Sequence, residues 1–316
     1  MTAISPLLRR LSYTATSTHP RHPRIFSYLF ITRRTMATHP LATAACLIIG
    51  DEVLNGKIRE ANSYTFAKLC FEIGLELQRV EIIADDEEEI VEAVRRMAKN
   101  YDFVVTSGGI GPTHDDITYS SIAKAFAMPL VLHDETVERM KKYGRRRIDP
   151  SDVAAHAAQM RMATLPLGSS AANADPAEKV DVIYSLEGSW VPVVCVASKI
   201  HILPGIPKLF NGLLTGLLPY IVPRIPASQR KVRLLVSTHK PESVMAPFLT
   251  DLQDRVNDKG IKIGSYPHMT AGINTVSIVG KLEYEEYMRE LVKETEVALE
   301  GEEISTEDEA KLSAQS

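Results

Sequence analysis

Cysteine is scarce: three residues, Cys46, Cys70 and Cys195, stand singly among apolar neighbours with no CxxC pair. That excludes a disulfide scaffold and a cysteine-rich zinc module, and leaves buried, inert thiols. Long hydrophobic runs are missing too. The longest, residues 25–30 and 191–197, fall far short of the roughly 18 residues that a membrane span requires. Acids are absent from the first 50 residues, as is lysine, although six arginines (Arg9, Arg10, Arg21, Arg24, Arg33, Arg34) occur there among many Ser and Thr. A cationic, hydroxyl-rich, acid-free start predicts a mitochondrial transit peptide over residues 1–40, with a disordered basic arm as the alternative. Met36 follows the last of these arginines, and a start there gives a shorter, cytoplasmic form.

What remains is acidic. Removing the six arginines before Met36 leaves 30 Lys and Arg against 40 Asp and Glu, a net charge of −10. Such a body has no broad cationic face, so nucleic acid is excluded as a partner, as is a membrane. A phosphate-bearing ligand then needs local help, from backbone N–H groups or a metal ion. The chain's 316 residues, 45% hydrophobic and 24% charged, suit one large or two ordinary soluble domains. Residues 301–316 lack apolar periodicity and read as a disordered acidic tail.

Residues 44–50 read as a short buried strand ending in glycine, followed by a polar loop and a helix from about Asn62 with its apolar residues at helical spacing. A second strand over 75–84, a helix over 85–100 that opens with acids, a third strand over 103–106 and a helix near Asp115 complete a β-α-β-α-β-α run. That alternation predicts a parallel sheet covered by helices. Two polar helices between 133 and 162 split at Asp149-Pro150, 169–176 reads as an exposed loop, and strands return at 182–184, 191–196 and 200–203. A closing helix spans 205–220, and the three prolines of 219–226 mark a linker. Beyond it the order β-α-β-β-α could suggest a KH-like RNA binder, but there is no GxxG loop and no cationic surplus. Residues 230–300 are therefore read as an accessory or dimerisation domain.

Chemistry concentrates in two stretches. The first is SGGIGPTHDDIT, residues 107–118. Gly108, Gly109 and Gly111 let the backbone turn sharply and approach a ligand closely, and the next helix offers its N-terminus to an anion. It is neither a P-loop nor a GxGxxG fingerprint. Asp116 fits a capping box with Thr113, yet capping does not account for Asp115 and Asp116 together beside a phosphate-inviting turn. Carboxylates tolerate phosphate when a divalent cation lies between them, and Mg²⁺ takes one or two carboxylates plus phosphate oxygens. The second stretch is GDEVLNG, residues 50–56. In a parallel sheet the strand ends share one edge, so Asp51, Glu52, Asp115 and Asp116 are expected to converge on a metal–phosphate site. His114, His133, His201, Ser63, Ser107 and the run Arg145, Arg146, Arg147 are weaker candidates, since no His–Asp relay or GxSxG elbow accompanies the serines.

GDEVLNGKIREANS (50–63), SGGIGPTHDDIT and LPGIP (203–207) resemble the molybdopterin-binding-like domain of the MoaB/Mog and CinA superfamily. Trp190-Val191-Pro192 is similar to its eukaryotic branch, which includes fungal FAD pyrophosphatase and the N-terminal part of animal FAD synthase. Glu242-Ser243 and residues 263–267 resemble the second domain of CinA-like proteins. The resemblance implies a three-layer α/β/α domain over 41–222 with a smaller C-terminal α+β domain, and frequent homodimers. It also implies divalent-metal-dependent cleavage of dinucleotide pyrophosphates such as FAD or ADP-ribose, with Mg²⁺ or a transition metal such as Co²⁺ and stimulation by K⁺. By position it makes Asp51, Glu52, Asp115 and Asp116 catalytic. Glu52, Asp115 and Asp116 become the metal ligands, and Gly108, Gly109, Gly111, Thr113 and Thr118 the phosphate site. The rival expectations are a molybdopterin-binding or adenylylating protein and a non-catalytic nucleotide-binding scaffold.

Overall fold

A computed structural model describes residues 39–144, 151–168, 175 and 178–315. The expected targeting segment, the 145–147 arginines, the Asp149-Pro150 break and most of the 169–176 loop lie outside these residues.

Strand β1 (Thr43–Ile49) is buried along its last six residues, so both of its faces are covered. After it come α1 (Asp51–Leu54) and α2 (Asn62–Ile73), which Gly74 ends at φ 83°, the left-handed stop that glycine adopts without strain. β2 (Glu76–Ile83) leads to α3 (Glu87–Asn100), whose first turn is capped by the Asp86 carboxylate accepting from Glu88 and Glu89 N–H. Ile90, Ala93, Val94 and Met97 give α3 a single buried stripe, the spacing of an amphipathic helix. β3 (Phe103–Ser107), α4 (Thr118–Ala125), β4 (Leu130–Leu132), α5 (Asp134–Tyr143) and α6 (Val153–Arg161) follow. Then come β5 (Thr164–Pro166), β6 (Val180–Ile183), β7 (Val193–Val196), β8 (Ile200–Leu203), α7 (Pro207–Gly216) and α8 (Leu218–Ile221).

The six-stranded sheet has the order β2-β1-β3-β8-β7-β6. Its first four strands are parallel, β7 runs against them, and β6, antiparallel to β7, points their way again. The sheet is thus mixed rather than wholly parallel. β7 returns into β8 through a tight turn at Ala197 and Ser198, closed by Lys199 N–H donating to Val196 O at 3.1 Å. α2 packs with α7 and α3 with α4, covering the two faces, so the domain is the expected three-layer α/β/α. β4 and β5 form a separate antiparallel ribbon, which the sequence pattern does not reveal.

The C-terminal part comprises β9 (Lys231–Thr238), α9 (Glu242–Val256), β10 (Lys262–His268), β11 (Ile273–Lys281) and α10 (Glu285–Leu299). β12 (Glu302–Ile304) and α11 (Thr306–Gln315) complete it. Its antiparallel sheet, ordered β10-β11-β9-β12, closes a second core of Val236, Met245, Leu252, Ile278 and Leu291 among others. The acidic end departs from expectation: it is a strand and a helix, not a disordered tail. Glu302, Glu303 and Ile304 pair with Ser237, Val236 and Leu235 of β9. Ser305 and Asp308 exchange hydrogen bonds of 2.7 and 3.1 Å, a capping arrangement at the start of α11. Among the described residues no helix is long and apolar enough to cross a membrane.

Candidate active site

β1, β3 and β8 are adjacent and parallel, so the segments after Ile49, Ser107 and Leu203 emerge together at one edge. The glycine turn sits in the middle of it. Gly108 has φ 114°, and a Cβ there would lie 2.1 Å from Ile49 O, so no other residue fits. Gly109 has φ 64°, and its Cβ would meet Thr118 Oγ1 at 2.2 Å. On the far side, a Cβ on Gly205 would reach 3.4 Å from Gly108 Cα. The three strand ends therefore pack backbone against backbone.

The turn is held by its own polar groups. Thr118, fully buried, donates its hydroxyl to Gly108 O at 2.9 Å and its N–H to Gly109 O at 2.9 Å. Asp116 Oδ1 accepts from Gly111 N–H at 2.6 Å, and Oδ2 accepts from Thr113 N–H at 2.8 Å and from its hydroxyl at 2.5 Å. These bonds revise three expectations. Helix α4 begins at Thr118 rather than near Asp115, so Asp116 braces a loop and caps no helix. The buried Thr118 hydroxyl is spent on Gly108 O and the exposed Thr113 hydroxyl on Asp116, rather than being held free for phosphate. Asp116, with both oxygens engaged by the turn, is a brace before it is a cation ligand. Gly108 N–H is also taken, by Leu203 O at 3.2 Å. Among the described residues, Gly109 and Ile110 N–H carry no hydrogen bond, and α4 has no side-chain cap. These groups remain for an anion.

The other acids face outward. Asp51 and Glu52 lie exposed in α1, directly after β1, and Asp115 is exposed on the turn. A fourth acid was not expected from the sequence: Asp85, half-buried just beyond β2, accepts from Asp51 N–H at 3.0 Å. Its Oδ1 would be 3.4 Å from a Cβ on Gly109, which brings the ends of β1, β2 and β3 into one group. Burial pushes the Asp85 carboxyl above its ordinary range, with Glu52, Asp51 and Asp115 adding repulsion and the Asp51 N–H opposing it. The signal was available, since Asp85 follows a strand of the same parallel sheet. Asp115 is drawn the other way, below the usual range, by the Thr113 hydroxyl and by His114. Among the described residues none of Asp51, Glu52, Asp85 and Asp115 forms an ion pair.

Oxygen donors of this kind suit a hard divalent cation. Among the described residues no three carboxylate, imidazole or thiolate groups are gathered tightly enough to cage an ion alone. Mg²⁺ is commonly held by one or two carboxylates, with phosphate oxygens and water completing its shell.

Asn62 ties the site to the scaffold. It is 5% exposed, and its Nδ2 donates to Ser107 Oγ and to Gly205 O, both at 2.8 Å. Ser107 is thus an acceptor in a structural bridge. Ser63 bonds to Glu60, whose carboxylate also takes the N–H groups of Asn62 and Ser63, filling the N-terminus of α2. His133 caps α5 by bonding Thr136. His201 is fully buried, its ring 4.4 Å from that of Phe103 and Nδ1 2.9 Å from Lys199 O. His114 is exposed.

Comparison with known proteins gives this edge its setting. A family model described as a probable molybdopterin binding domain matches residues 45–224. The chain is 30% identical over 270 residues to a protein named probable FAD synthase from Caenorhabditis elegans, covering 82% of this chain and 50% of that one. It is 32% identical over 230 residues to Protein TK1472 of Thermococcus kodakarensis, covering 71% and 85%. The chain thus spans about half the length of the worm relatives that it matches. Among solved structures, the protein CinA of Thermoplasma acidophilum is 27% identical with a TM-score of 0.47, covering 57% of this chain and 98% of that one. On the match across its whole N-terminal domain, the chain belongs to the family of the probable molybdopterin binding domain.

Proposed function

We propose that this chain is a divalent-metal-dependent pyrophosphatase that hydrolyses FAD to FMN and AMP, with ADP-ribose or NADH as secondary substrates. One observation carries the reading: four carboxylates that form no ion pair among the described residues gather beside a glycine turn, two of whose N–H groups carry no hydrogen bond. Such an arrangement accepts a pyrophosphate only together with a cation. The naming of the worm relatives as probable FAD synthases supports a flavin dinucleotide over other guests.

Gly109 and Ile110 N–H, with the N-terminus of α4, hold one phosphate. One or two of Glu52, Asp85 and Asp115 would hold the cation, with phosphate oxygens and water completing its shell. When bound, the cation neutralises phosphate charge and polarises a phosphoryl oxygen. Water adds to one phosphorus, the bridging P–O bond breaks, and the second phosphate leaves with that electron pair. The proton released by water passes to a carboxylate of the cluster, which we assign to Asp51. Asp116 keeps the turn in shape. We also infer a homodimer, mitochondrial when translated from Met1 and cytoplasmic when started at Met36.

Incubating the chain with FAD and Mg²⁺ or Co²⁺, with and without K⁺, is expected to release FMN and AMP, read as a rise in flavin fluorescence and by chromatography. No release in any metal defeats the reading. Tight binding of molybdopterin without FAD turnover selects the alternative that the family model favours, a molybdopterin-binding or adenylylating protein.

A further inference from the structure

Large apolar side chains stand exposed on both flanks of the glycine turn. On the β1 side, Leu54 at the end of α1 is 56% exposed, and Ile58, whose N–H donates to Glu52 O at 3.1 Å, is 47% exposed. On the β8 side, Ile206 is 64% exposed and directly follows Gly205, the residue packed on Gly108. β3 lies between β1 and β8, so the segments that carry these side chains leave the sheet on either side of the strand that ends in the phosphate turn. Single exposed apolar residues need no explanation. Here, however, they border the most polar place on the sheet, and they do so on either side of it. Small-molecule sites have this build: a few placed polar groups and apolar walls.

The geometry points to a two-armed site in which each apolar flank receives one ring of a dinucleotide, the larger flavin against Leu54 and Ile58 and the adenine against Ile206. This rests on the pyrophosphatase reading and names what selects its substrate. A dinucleotide carries its pyrophosphate in the middle and a flat heteroaromatic ring at each end, which matches the order apolar, anion-binding, apolar across three neighbouring strands. The β1 flank offers two side chains and the β8 flank one, hence the assignment by ring size.

Binding of the two products to the full chain, without turnover, tests this. FMN is followed by its fluorescence and AMP by calorimetry, each with Mg²⁺. Leu54→Ser combined with Ile58→Ser is expected to weaken FMN about tenfold or more, the effect of losing apolar burial of one or two side chains, and to leave AMP within about twofold. Ile206→Ser is expected to do the reverse. All three positions are exposed, so an unchanged melting temperature confirms intact folding. Equal losses for both products, no loss for either, or failure of the wild type to bind them overturns the proposal. A wild type that binds both products in this pattern yet cleaves no FAD supports the two-armed site while the hydrolase reading fails.

Discussion

Asp116 separates a brace from a ligand, and Asp116→Asn is the informative change. The substitution keeps one oxygen and replaces the other with an NH₂ group. That group must face either Gly111 N–H, now 2.6 Å from the carboxylate, or the Thr113 N–H and hydroxyl at 2.8 and 2.5 Å. One side of the turn therefore becomes donor against donor. Hydrogen bonds to a charged group contribute about 1.5–3 kcal/mol each, and removing an acceptor leaves its donors unsatisfied. Half-exposure lets water replace part of the loss, so a net cost of about 2 kcal/mol is expected. For a domain of this size that lowers the melting temperature by roughly 4–8 °C. FAD turnover should fall by about tenfold or more as the turn loosens, since misplacement of binding groups is costly, while the Mg²⁺ concentration for half-maximal rate stays where it was. Melting by circular dichroism and a Mg²⁺ titration of the residual rate provide both numbers. A variant that melts like the wild type but demands much more Mg²⁺ would refute the brace and restore Asp116 as a ligand.

Two further outcomes concern the scaffold. Burial holds His201 neutral, with its pKa lowered to about 4 against 6.5 for a free imidazole. The unfolded chain therefore binds a proton that the folded one refuses as pH falls below 6.5, so stability declines between pH 6.5 and about 4, by about 3 kcal/mol in all. Denaturant unfolding of the wild type and of His201→Leu at pH 7.5 and 5 should show the smaller pH dependence in the variant, and equal slopes would contradict this account. In the β7–β8 turn Ala197 and Ser198 hold φ of 52° and 59°, a hairpin conformation that favours Asn-Gly. Ser198 also buries an unpartnered hydroxyl. Ser198→Gly should therefore raise the melting temperature through a gain of about 1 kcal/mol, and a lower value would show that the hydroxyl has a partner.

The sequence announces the α/β domain because its strands and helices alternate with distinct periods: β1 and β3 are short and mostly apolar, and α3 carries one stripe. It is silent on strand direction. β7 is as apolar as the strands it runs against, and only the short turn at 197–198 betrays its reversal. β4 and β5 are three residues each, too short for a period to register. The acidic end is a related case: its composition is that of a solvated tail, and what orders it is a tertiary pairing of Ile304 with Leu235, beside the local Ser305–Asp308 cap.

Within the site, the most specific letters are those that build the turn, and the chemistry resides in the least specific ones. Gly108, Gly109, Thr118 and Asp116 are fixed by the turn itself, through a positive φ, a 2.1 Å approach and hydrogen bonds within it. Their polar groups are thereby turned inward. Asp51, Glu52, Asp85 and Asp115 carry the charge that a cation would answer, yet each is an ordinary acid after a strand or on a loop. A motif read letter by letter thus assigns catalysis to Asp116 and phosphate binding to Thr113 and Thr118, whose side chains bond within the turn, and overlooks Asp85, which no motif contains. Asp85 emerges only when β2 is placed beside β1, so that its carboxylate meets the Asp51 N–H from a different stretch of chain. The parallel sheet, rather than the glycine signature, is what assembles the acids.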